Sequence, residues 1–244
     1  MKRIIISLLL GMATFLTSTA QITADDLLDS LINDVQQGKE VENVVTDVNT
    51  QIVHHRILLF GDDLVEGLAP RLYNYAQSNG HDMHTTIWMG STTKTWGHTT
   101  ELPKLIKKVK PTFIIVCLGT NDLNYDDVSL RTPAVKEIVK EMGDIPFVWI
   151  GPISLKTIDH DPGVVNMIRQ NVSENRFFDS FNMHLARQDE MRPTMEAAAR
   201  WADNIALWMS SPQTAHPIVM DTPQTNLPLK NCVTRKASYQ GKMK

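Results

Sequence analysis

Four short segments of the chain carry polar side chains that could take part in chemistry. Three of them follow an apolar run, and the fourth precedes the last amphipathic stretch. Their candidate residues are Asp62 and Asp63, Gly90 and Ser91, Asn121, and Asp189 with Arg192. A carboxylate or a hydroxyl can act as a covalent nucleophile when a neighbouring group serves as its base. These segments are therefore the first candidates for a catalytic or ligand-binding site.

The elements that must position these residues follow from the hydrophobic pattern. From residue 56 onward, short apolar runs alternate with amphipathic stretches of helix length. The predicted strands are 56–60, 85–89, 112–118, 146–150 and 176–181, and the predicted helices lie near 64–78, 100–109, 131–142, 162–174 and 194–209. This alternation is typical of β-α units, so we predict an α/β fold, a three-layer α/β/α sandwich with a five-stranded parallel sheet. A ligand site is then expected beyond the carboxyl ends of the strands.

The same segments resemble the sequence blocks of the SGNH (GDSL-type) ester hydrolases. Residues 61–64 are Gly-Asp-Asp-Leu, similar to the first block Gly-Asp-Ser-Leu, and Asp63 stands in the position of the nucleophilic serine. Gly90 matches the glycine whose backbone N–H helps to form the oxyanion hole. Asn121, within 119–122, matches the asparagine that supplies a side-chain donor to that hole. The resemblance implies the flavodoxin-like fold of this family, with ester hydrolysis as the family's activity.

The fourth block departs from the family pattern. The family has Asp-x-x-His-Pro before its last helix, whereas this chain has Asp189 followed by Arg192 in the position of the histidine. A guanidinium stays protonated and cannot serve as a general base. An ionised Asp63 would place negative charge where an oxyanion must develop. We therefore predict a catalytically impaired pseudo-esterase that binds an acylated carbohydrate or a similar ligand. Asp63 and Arg192 are expected to form a charge-assisted pair, which Asp189 could join.

Two other hypotheses stay open at this point. The first is an active ester hydrolase, of the acetyl esterase or lipase kind, that uses Asp63 or Ser91 as nucleophile and His184 as base. The second is an interaction or scaffold protein that works through its charged terminal segments. Neither hypothesis is favoured by the residues that resemble the family blocks.

Several residues near these blocks are possible ligand contacts. We single out Asp62, Ser91 and Trp96 as possible ligand-binding residues. Trp88 and Tyr125 lie in or near the same loops and could stack on a sugar ring together with Trp96. Aromatic side chains pack in cores more often than they bind ligands, so core or rim packing is the favoured interpretation.

The first twenty residues differ from the rest of the chain. Lys2 and Arg3 precede an apolar run that continues to Leu16, and the small residues 18–20 follow, a pattern typical of a secretory signal peptide. The run is too short and too often interrupted for a membrane-spanning helix. We expect cleavage after Ala20 and an exported chain, periplasmic or secreted, without a stable membrane anchor.

The predicted organisation has four parts. A signal peptide covers residues 1–20, and 21–50 form an acidic helical leader and connector with seven acidic residues against one basic residue. The SGNH-hydrolase-like domain covers 51–211. Residues 212–244 form a proline-containing basic tail, which is expected to be mobile at least at its end.

Composition limits the remaining function classes. With 42% hydrophobic and 21% charged residues the chain is an ordinary globular protein. Removing the two basic residues of the signal peptide moves the formal charge from −3 to −5, which disfavours a nucleic-acid partner. The eight histidines do not cluster with cysteines or carboxylates, so no metal and no other cofactor is predicted. Cys117 and Cys232 are expected to be free thiols. The expected partner is an ester or carbohydrate ligand, and the sequence indicates no particular protein partner.

Overall fold

The computed structural model of the protein describes residues 53–125, 127–158, 160–161 and 163–244. The predicted signal peptide and the predicted acidic leader lie outside the described residues, so both stay predictions. Among the residues that are described, no helix is long and apolar enough to cross a membrane.

Six strands and six α-helices make up the described part of the chain. The strands are Arg56–Gly61 (β1), Asp82–Trp88 (β2), Phe113–Cys117 (β3), Phe147–Ile150 (β4), Phe177–Phe178 (β5) and Cys232–Arg235 (β6). The helices are Val65–Ser78 (α1), Thr93–Gly97 (α2), Glu101–Val109 (α3), Thr132–Met142 (α4), Val164–Val172 (α5) and Met195–Met209 (α6). All five predicted helices are present. The short helix α2 was not predicted, and Thr92 caps it by exchanging hydrogen bonds with Thr95.

The sheet is parallel throughout, with the strand order β5-β4-β3-β1-β2-β6. The predicted three-layer α/β/α fold is confirmed, but the sheet has six strands rather than five. The chain starts in the middle of the sheet at β1, adds β2 on one side, and then moves to β3 on the other. This reversal makes the carboxyl ends of β1 and β3 the switch point where parallel α/β sheets open a crevice.

Two apolar clusters cover the two faces of the sheet. On one face, side chains such as Leu59 and Ile115 pack against α1 and α6, whose Leu68 and Trp201 are fully buried. On the other face, Phe60 and its neighbours pack against α3, α4 and α5. Because both faces are covered, the central strands are continuous apolar runs rather than alternating ones. This double burial is what made β1 and β3 recognisable in the sequence.

The expectation of a mobile C-terminal tail was wrong. Residues 232–235 form β6, which pairs with β2 and completes the sheet at that edge. The backbone beyond β6 is held as well, since Thr100 N donates to Lys242 O (2.8 Å) and Lys244 N donates to His98 O (3.1 Å). The Lys244 ammonium contacts Glu137 and Glu141 of α4 at 3.2 and 2.7 Å. The positive charges of the tail therefore have acidic partners in the domain, a complementarity that the local sequence pattern does not reveal.

Candidate functional site

The first candidate residue, Asp62, lies directly beyond β1 and is fully buried. Its two carboxylate oxygens accept hydrogen bonds from the backbone N–H groups of Leu64 (3.1 Å), Gly119 (3.3 Å) and Thr120 (3.1 Å). Burial raises the pKa of Asp62 to about 8, although the N–H donors act in the opposite direction. Asp62 therefore ties the loop after β1 to the loop after β3, and it is a structural group. The structure gives no support to the predicted ligand-binding role of Asp62, because no part of the residue is exposed.

Gly61 allows the two loops to approach one another. A Cβ at this position would lie 1.7 Å from the carbonyl oxygen of Cys117, so a side chain cannot be accommodated there. The same close approach lets Asp62 N donate to Cys117 O at 3.1 Å. The glycine before the two aspartates thus sets the position of Asp63 relative to the end of β3.

Asp63 meets the two groups that the sequence resemblance assigns to the oxyanion hole. Its Oδ2 accepts one hydrogen bond from the backbone N–H of Gly90 at 2.8 Å and another from Nδ2 of Asn121 at 2.9 Å. Asn121 is oriented by a second bond, from the same Nδ2 to the carbonyl oxygen of Ser91 at 2.9 Å. Gly90 adopts a left-handed backbone with φ of 70°, which points its N–H toward Asp63. Three segments predicted from sequence to share a site are therefore brought together at one carboxylate oxygen.

This geometry has a definite chemical meaning. Donors at 2.7 to 3.1 Å are the arrangement that stabilises the oxyanion of an acyl-transfer intermediate. Here the atom between the donors is a carboxylate oxygen of the protein itself. Position 63 carries no hydroxyl, so the arrangement provides a bound anion rather than a serine nucleophile beside an open anion site.

Arg192 does not face Asp63, and the predicted ion pair between them is wrong. Arg192 Nε donates to Asp189 Oδ2 at 2.8 Å, and Arg192 Nη1 lies 3.6 Å from Glu66 Oε2. No ion pair in the described residues joins Arg192 to Asp63. Glu66 is the more accessible partner because it stands one helical turn beyond Asp63 on the exposed face of α1. No local sequence pattern links Glu66 to Arg192, so sequence reasoning missed this partner.

The Asp189 carboxylate is held mainly by backbone. Its Oδ1 accepts hydrogen bonds from Arg192 N at 2.6 Å and Met191 N at 2.9 Å, while its Oδ2 takes the Arg192 side chain. These three interactions lower the pKa of Asp189 to about 2, the backbone bond from Arg192 being the largest cause. Asp189 is thus ionised, with Oδ1 held by two backbone N–H groups and Oδ2 bound by the Arg192 side chain.

Ser91 and Trp96 are buried together, and this burial does not support their predicted roles as ligand contacts. Ser91 is 1% exposed, and its hydroxyl accepts a hydrogen bond from Trp96 Nε1 at 3.0 Å. Trp96 is fully buried and packs between Phe60 and Trp88. These contacts use the Ser91 hydroxyl within the core, so Ser91 does not serve as an alternative nucleophile. The predicted core packing of Trp88 and Trp96 is observed.

Two further residues considered from sequence have different surroundings. Tyr125 is 46% exposed and lies over the guanidinium of Arg131 at 3.7 Å. Arg131 in turn lies 3.4 Å from Asp122, which is fully buried and accepts hydrogen bonds from Thr93 N and Oγ1. His184 is exposed, and no hydrogen bond among the described residues joins it to Asp63 or Asp189. His184 is therefore not positioned as the base of an alternative active site.

A cleft of about 400 Å³ has Gly90 among its lining residues. We call it the C-terminal cleft, because residues 237–243 form one of its walls. Its other walls come from the loop after β2, from α2 with the two residues that follow it, and from Tyr125 and Arg131. The residues lining it are Trp88, Met89, Gly90, Ser91, Thr92, Lys94, Thr95, His98, Thr99, Tyr125, Arg131, Ala237, Tyr239, Gln240, Gly241 and Met243. This cleft was not predicted, because its wall belongs to the tail that the sequence indicated as mobile.

The cysteines and the metal-binding side chains add little to the site. Cys117 and Cys232 are both free, as predicted. Within the described ranges, no group of three or more histidine, cysteine or acidic side chains could hold a metal ion.

Comparisons with known proteins give the following results. No family model matches the chain, and no curated protein matches it. Among solved structures, TesA has 15% sequence identity and a TM-score of 0.49, covering 63% of this chain and 97% of that chain. The acetyl xylan esterase AlAXEase has 12% sequence identity and a TM-score of 0.47, and the match covers 62% of this chain and 97% of that chain. A third solved structure is the C-terminal catalytic domain of the Streptococcus pneumoniae peptidoglycan O-acetyltransferase OatA with a methylsulfonyl adduct. It has 14% sequence identity and a TM-score of 0.43, and the match covers 64% of this chain and 93% of that chain.

Proposed function

We propose that this chain is an exported protein of the SGNH hydrolase type that has lost serine-esterase chemistry and works as a ligand-binding pseudoenzyme. The single observation that carries this proposal is the position of Asp63. One oxygen of its carboxylate takes both hydrogen bonds that an acyl-transfer oxyanion would need, from Gly90 and from Asn121.

Charge is the first reason why this arrangement opposes ester hydrolysis. A substrate carbonyl becomes negatively charged as it is attacked, and the two donors stabilise that charge only if they are free to bind it. Asp63 already supplies a negative oxygen to them at 2.8 and 2.9 Å. A substrate oxygen would have to displace this carboxylate and then develop its own charge beside it, which raises the barrier.

The missing proton acceptor is the second reason. Attack by a hydroxyl requires a base that removes its proton, and the later step requires a group that returns a proton to the leaving group. Arg192 remains protonated and is already bound to Asp189 and Glu66. Position 192 therefore supplies neither step, and the proposed inactivity does not depend on Asp63 alone.

The supporting framework for hydrolysis is nevertheless retained. The two donors do not depend on the chemistry of side chain 63, since one is a backbone N–H and the other is held by Ser91 O. Asp189 is fixed by two backbone N–H groups and points an oxygen at side chain 192. A serine introduced at position 63 would meet the two donors, and a histidine introduced at position 192 would meet Asp189.

This proposal is tested by hydrolysis of nitrophenyl acetate and of acetylated xylan. The natural chain is compared with Asp63→Ser and with Asp63→Ser/Arg192→His, and far-UV circular dichroism verifies that each variant is folded. We expect the natural chain to be silent and the double variant to gain activity above the single one. Turnover by the natural chain that Asp63→Asn abolishes would contradict the proposal and favour a carboxylate nucleophile.

Export is the second part of the proposal, and it is supported by the sequence of residues 1–20 alone. The expected location is the periplasm or the medium, and the expected partner is a small ester or carbohydrate rather than nucleic acid. Fractionation of cells that express the full chain, with mass spectrometry of its N-terminus, tests this. Recovery of uncleaved chain in the cytoplasmic fraction alone would overturn it.

A further inference from the structure

The C-terminal cleft adjoins the candidate site through Gly90. The backbone N–H of this residue donates to Asp63, and the same residue lines the cleft. Asp63 itself is not among the residues that line the cleft. The chemistry of the cleft walls consequently bears on what the pseudoenzyme binds.

The wall formed by residues 237–243 is held in place by side-chain contacts with the rest of the domain. Tyr239 donates its hydroxyl to Glu101 Oε2 at 3.0 Å, and Arg235 Nη1 lies 2.7 Å from the same oxygen. Gly241 lies so close to Trp88 that an added Cβ would approach its ring to 2.7 Å. Anchors at both ends of the segment give the cleft a defined shape in the absence of a ligand.

The charged side chains among the described lining residues are Lys94 and Arg131, and Arg131 is paired with the buried Asp122. None of the described lining residues is an aspartate or a glutamate. Lys94 of α2 is exposed, and no hydrogen bond or ion pair within the described part of the chain reaches its ammonium group. Lys236 precedes the wall segment and Lys242 lies within it; both are exposed but do not line the cleft, whereas Arg235 and Lys244 are neutralised by acidic partners. A negatively charged ligand would therefore gain attraction without a competing acidic side chain in the lining.

The remaining polar groups of the lining favour a ligand with several hydroxyl groups. Tyr125 and Gln240 place a hydroxyl and an amide group at the exposed surface of the cleft, whereas the hydroxyls of Thr95 and Tyr239 are bonded to Thr92 and Glu101. Such groups donate and accept in equal measure and suit alcohols better than apolar chains. The volume of about 400 Å³ is at the lower end of the range of small-molecule sites.

We propose that the C-terminal cleft binds a small, polyhydroxylated carboxylate, with Lys94 contacting the carboxylate and Gln240 contacting hydroxyl groups. The inference rests on the proposed function in that it names the ligand class of the pseudoenzyme. It does not require any step of bond making or breaking. The binding residues are distinct from Asp63 and Asn121.

The test uses D-glucuronate as the probe and D-glucose as its uncharged counterpart. Chemical-shift titration of the isotopically labelled mature chain reports affinity and location together. We expect glucuronate to bind, with the largest shifts at Lys94, His98 and Gln240, and glucose to bind at least about tenfold more weakly, since one charge-assisted hydrogen bond is missing. Raising the ionic strength should weaken the binding of glucuronate and leave glucose unaffected.

Matched variants separate a specific site from general attraction. Lys94→Met should weaken glucuronate about tenfold, whereas Lys136→Met on α4, an exposed lysine outside the cleft, should change nothing. Gln240→Ala should weaken it severalfold, with Gln170→Ala on α5 as its control. Equal affinity for glucose, or wild-type affinity in Lys94→Met, would overturn the inference. Binding is measured without an ester, so ester turnover by the natural chain would refute the proposed function and leave this result untouched.

Discussion

Removing the Asp63 carboxylate should convert a filled anion site into an open one. In Asp63→Ala, the Gly90 N–H and the Asn121 amide lose an acceptor that lies 2.8 and 2.9 Å away. A hydrogen bond to a charged group contributes about 1.5 to 3 kcal/mol when it is buried. Asp63 is only half-buried and Gly90 is exposed, so water replaces part of this stabilisation. We expect a loss of about 2 kcal/mol for the pair, or a decrease in Tm of about 4 to 8 °C for a chain of this size.

The open donor pair should then accept a carboxylate from solution. With a dissociation constant of about 10 mM, acetate at about 100 mM would stabilise the variant by about 1.4 kcal/mol, which raises Tm by about 3 to 6 °C. The natural chain should show no such response, because its own carboxylate occupies the donors. Thermal unfolding of both chains in sodium acetate, and in sodium chloride at equal ionic strength, measures the difference.

The control for this prediction removes one of the donors. In Asp63→Ala/Asn121→Ala the stabilisation by acetate should fall, because a single backbone N–H remains at the site. An equal response to acetate in the natural chain and in Asp63→Ala would refute the reasoning, since it would mean that Asp63 does not occupy the anion position.

Three further predictions concern the surroundings of the site. Arg192→Ala should lower the free energy of unfolding by no more than about 1 kcal/mol in urea titrations, because its bond to Asp189 is largely exposed; a loss above about 3 kcal/mol would indicate a buried pair instead. Glu101→Gln should destabilise the chain by about 2 to 4 kcal/mol and speed tryptic cleavage after residue 236, because Arg235 loses its charged partner; unchanged proteolysis would contradict this. Burial raises the pKa of Asp62 from 3.8 to about 8, so between these pH values the folded chain binds one more proton than the unfolded chain. The free energy of unfolding should therefore fall by about 1.4 kcal/mol for each unit of rising pH. The same slope of unfolding free energy against pH in Asp62→Asn would refute this assignment.

The sequence predicted the core of the fold because burial there is continuous. Strands β1 and β3 are covered on both faces, so they are apolar runs with clear ends, and the amphipathic helices between them have regular spacing. Strand β6 has no such pattern, since Cys232 and Arg235 are only half-buried, Val233 and Thr234 are exposed, and the strand lies at an edge. Its pairing with β2 depends on backbone hydrogen bonds and on ion pairs with α3 and α4, which local periodicity does not encode.

The candidate site was predictable only as far as segments could be assigned to strand ends. Asp63, Gly90 and Asn121 meet because β1, β2 and β3 are neighbours in a parallel sheet. The pairing of Arg192 with Glu66 was not predictable from the strand ends, because the long Arg192 side chain extends beyond its own loop and could pair with either Asp63 or Glu66. Whether Ser91 and Trp96 are exposed likewise depends on how α2 packs, and that short helix gave no signal in the sequence.

Covalent labelling with a fluorophosphonate tests directly whether position 63 sits in a hydrolase site, because the reagent reacts preferentially with a serine that is activated beside a working anion site. The natural chain and Asp63→Ser/Arg192→His are treated in parallel, and peptide mass spectrometry locates the label. We expect the natural chain to stay unlabelled and the double variant to be labelled at position 63. Labelling of the natural chain at Ser91, or a folded double variant that resists the reagent, would contradict the claim that Asp63 fills an otherwise intact hydrolase site.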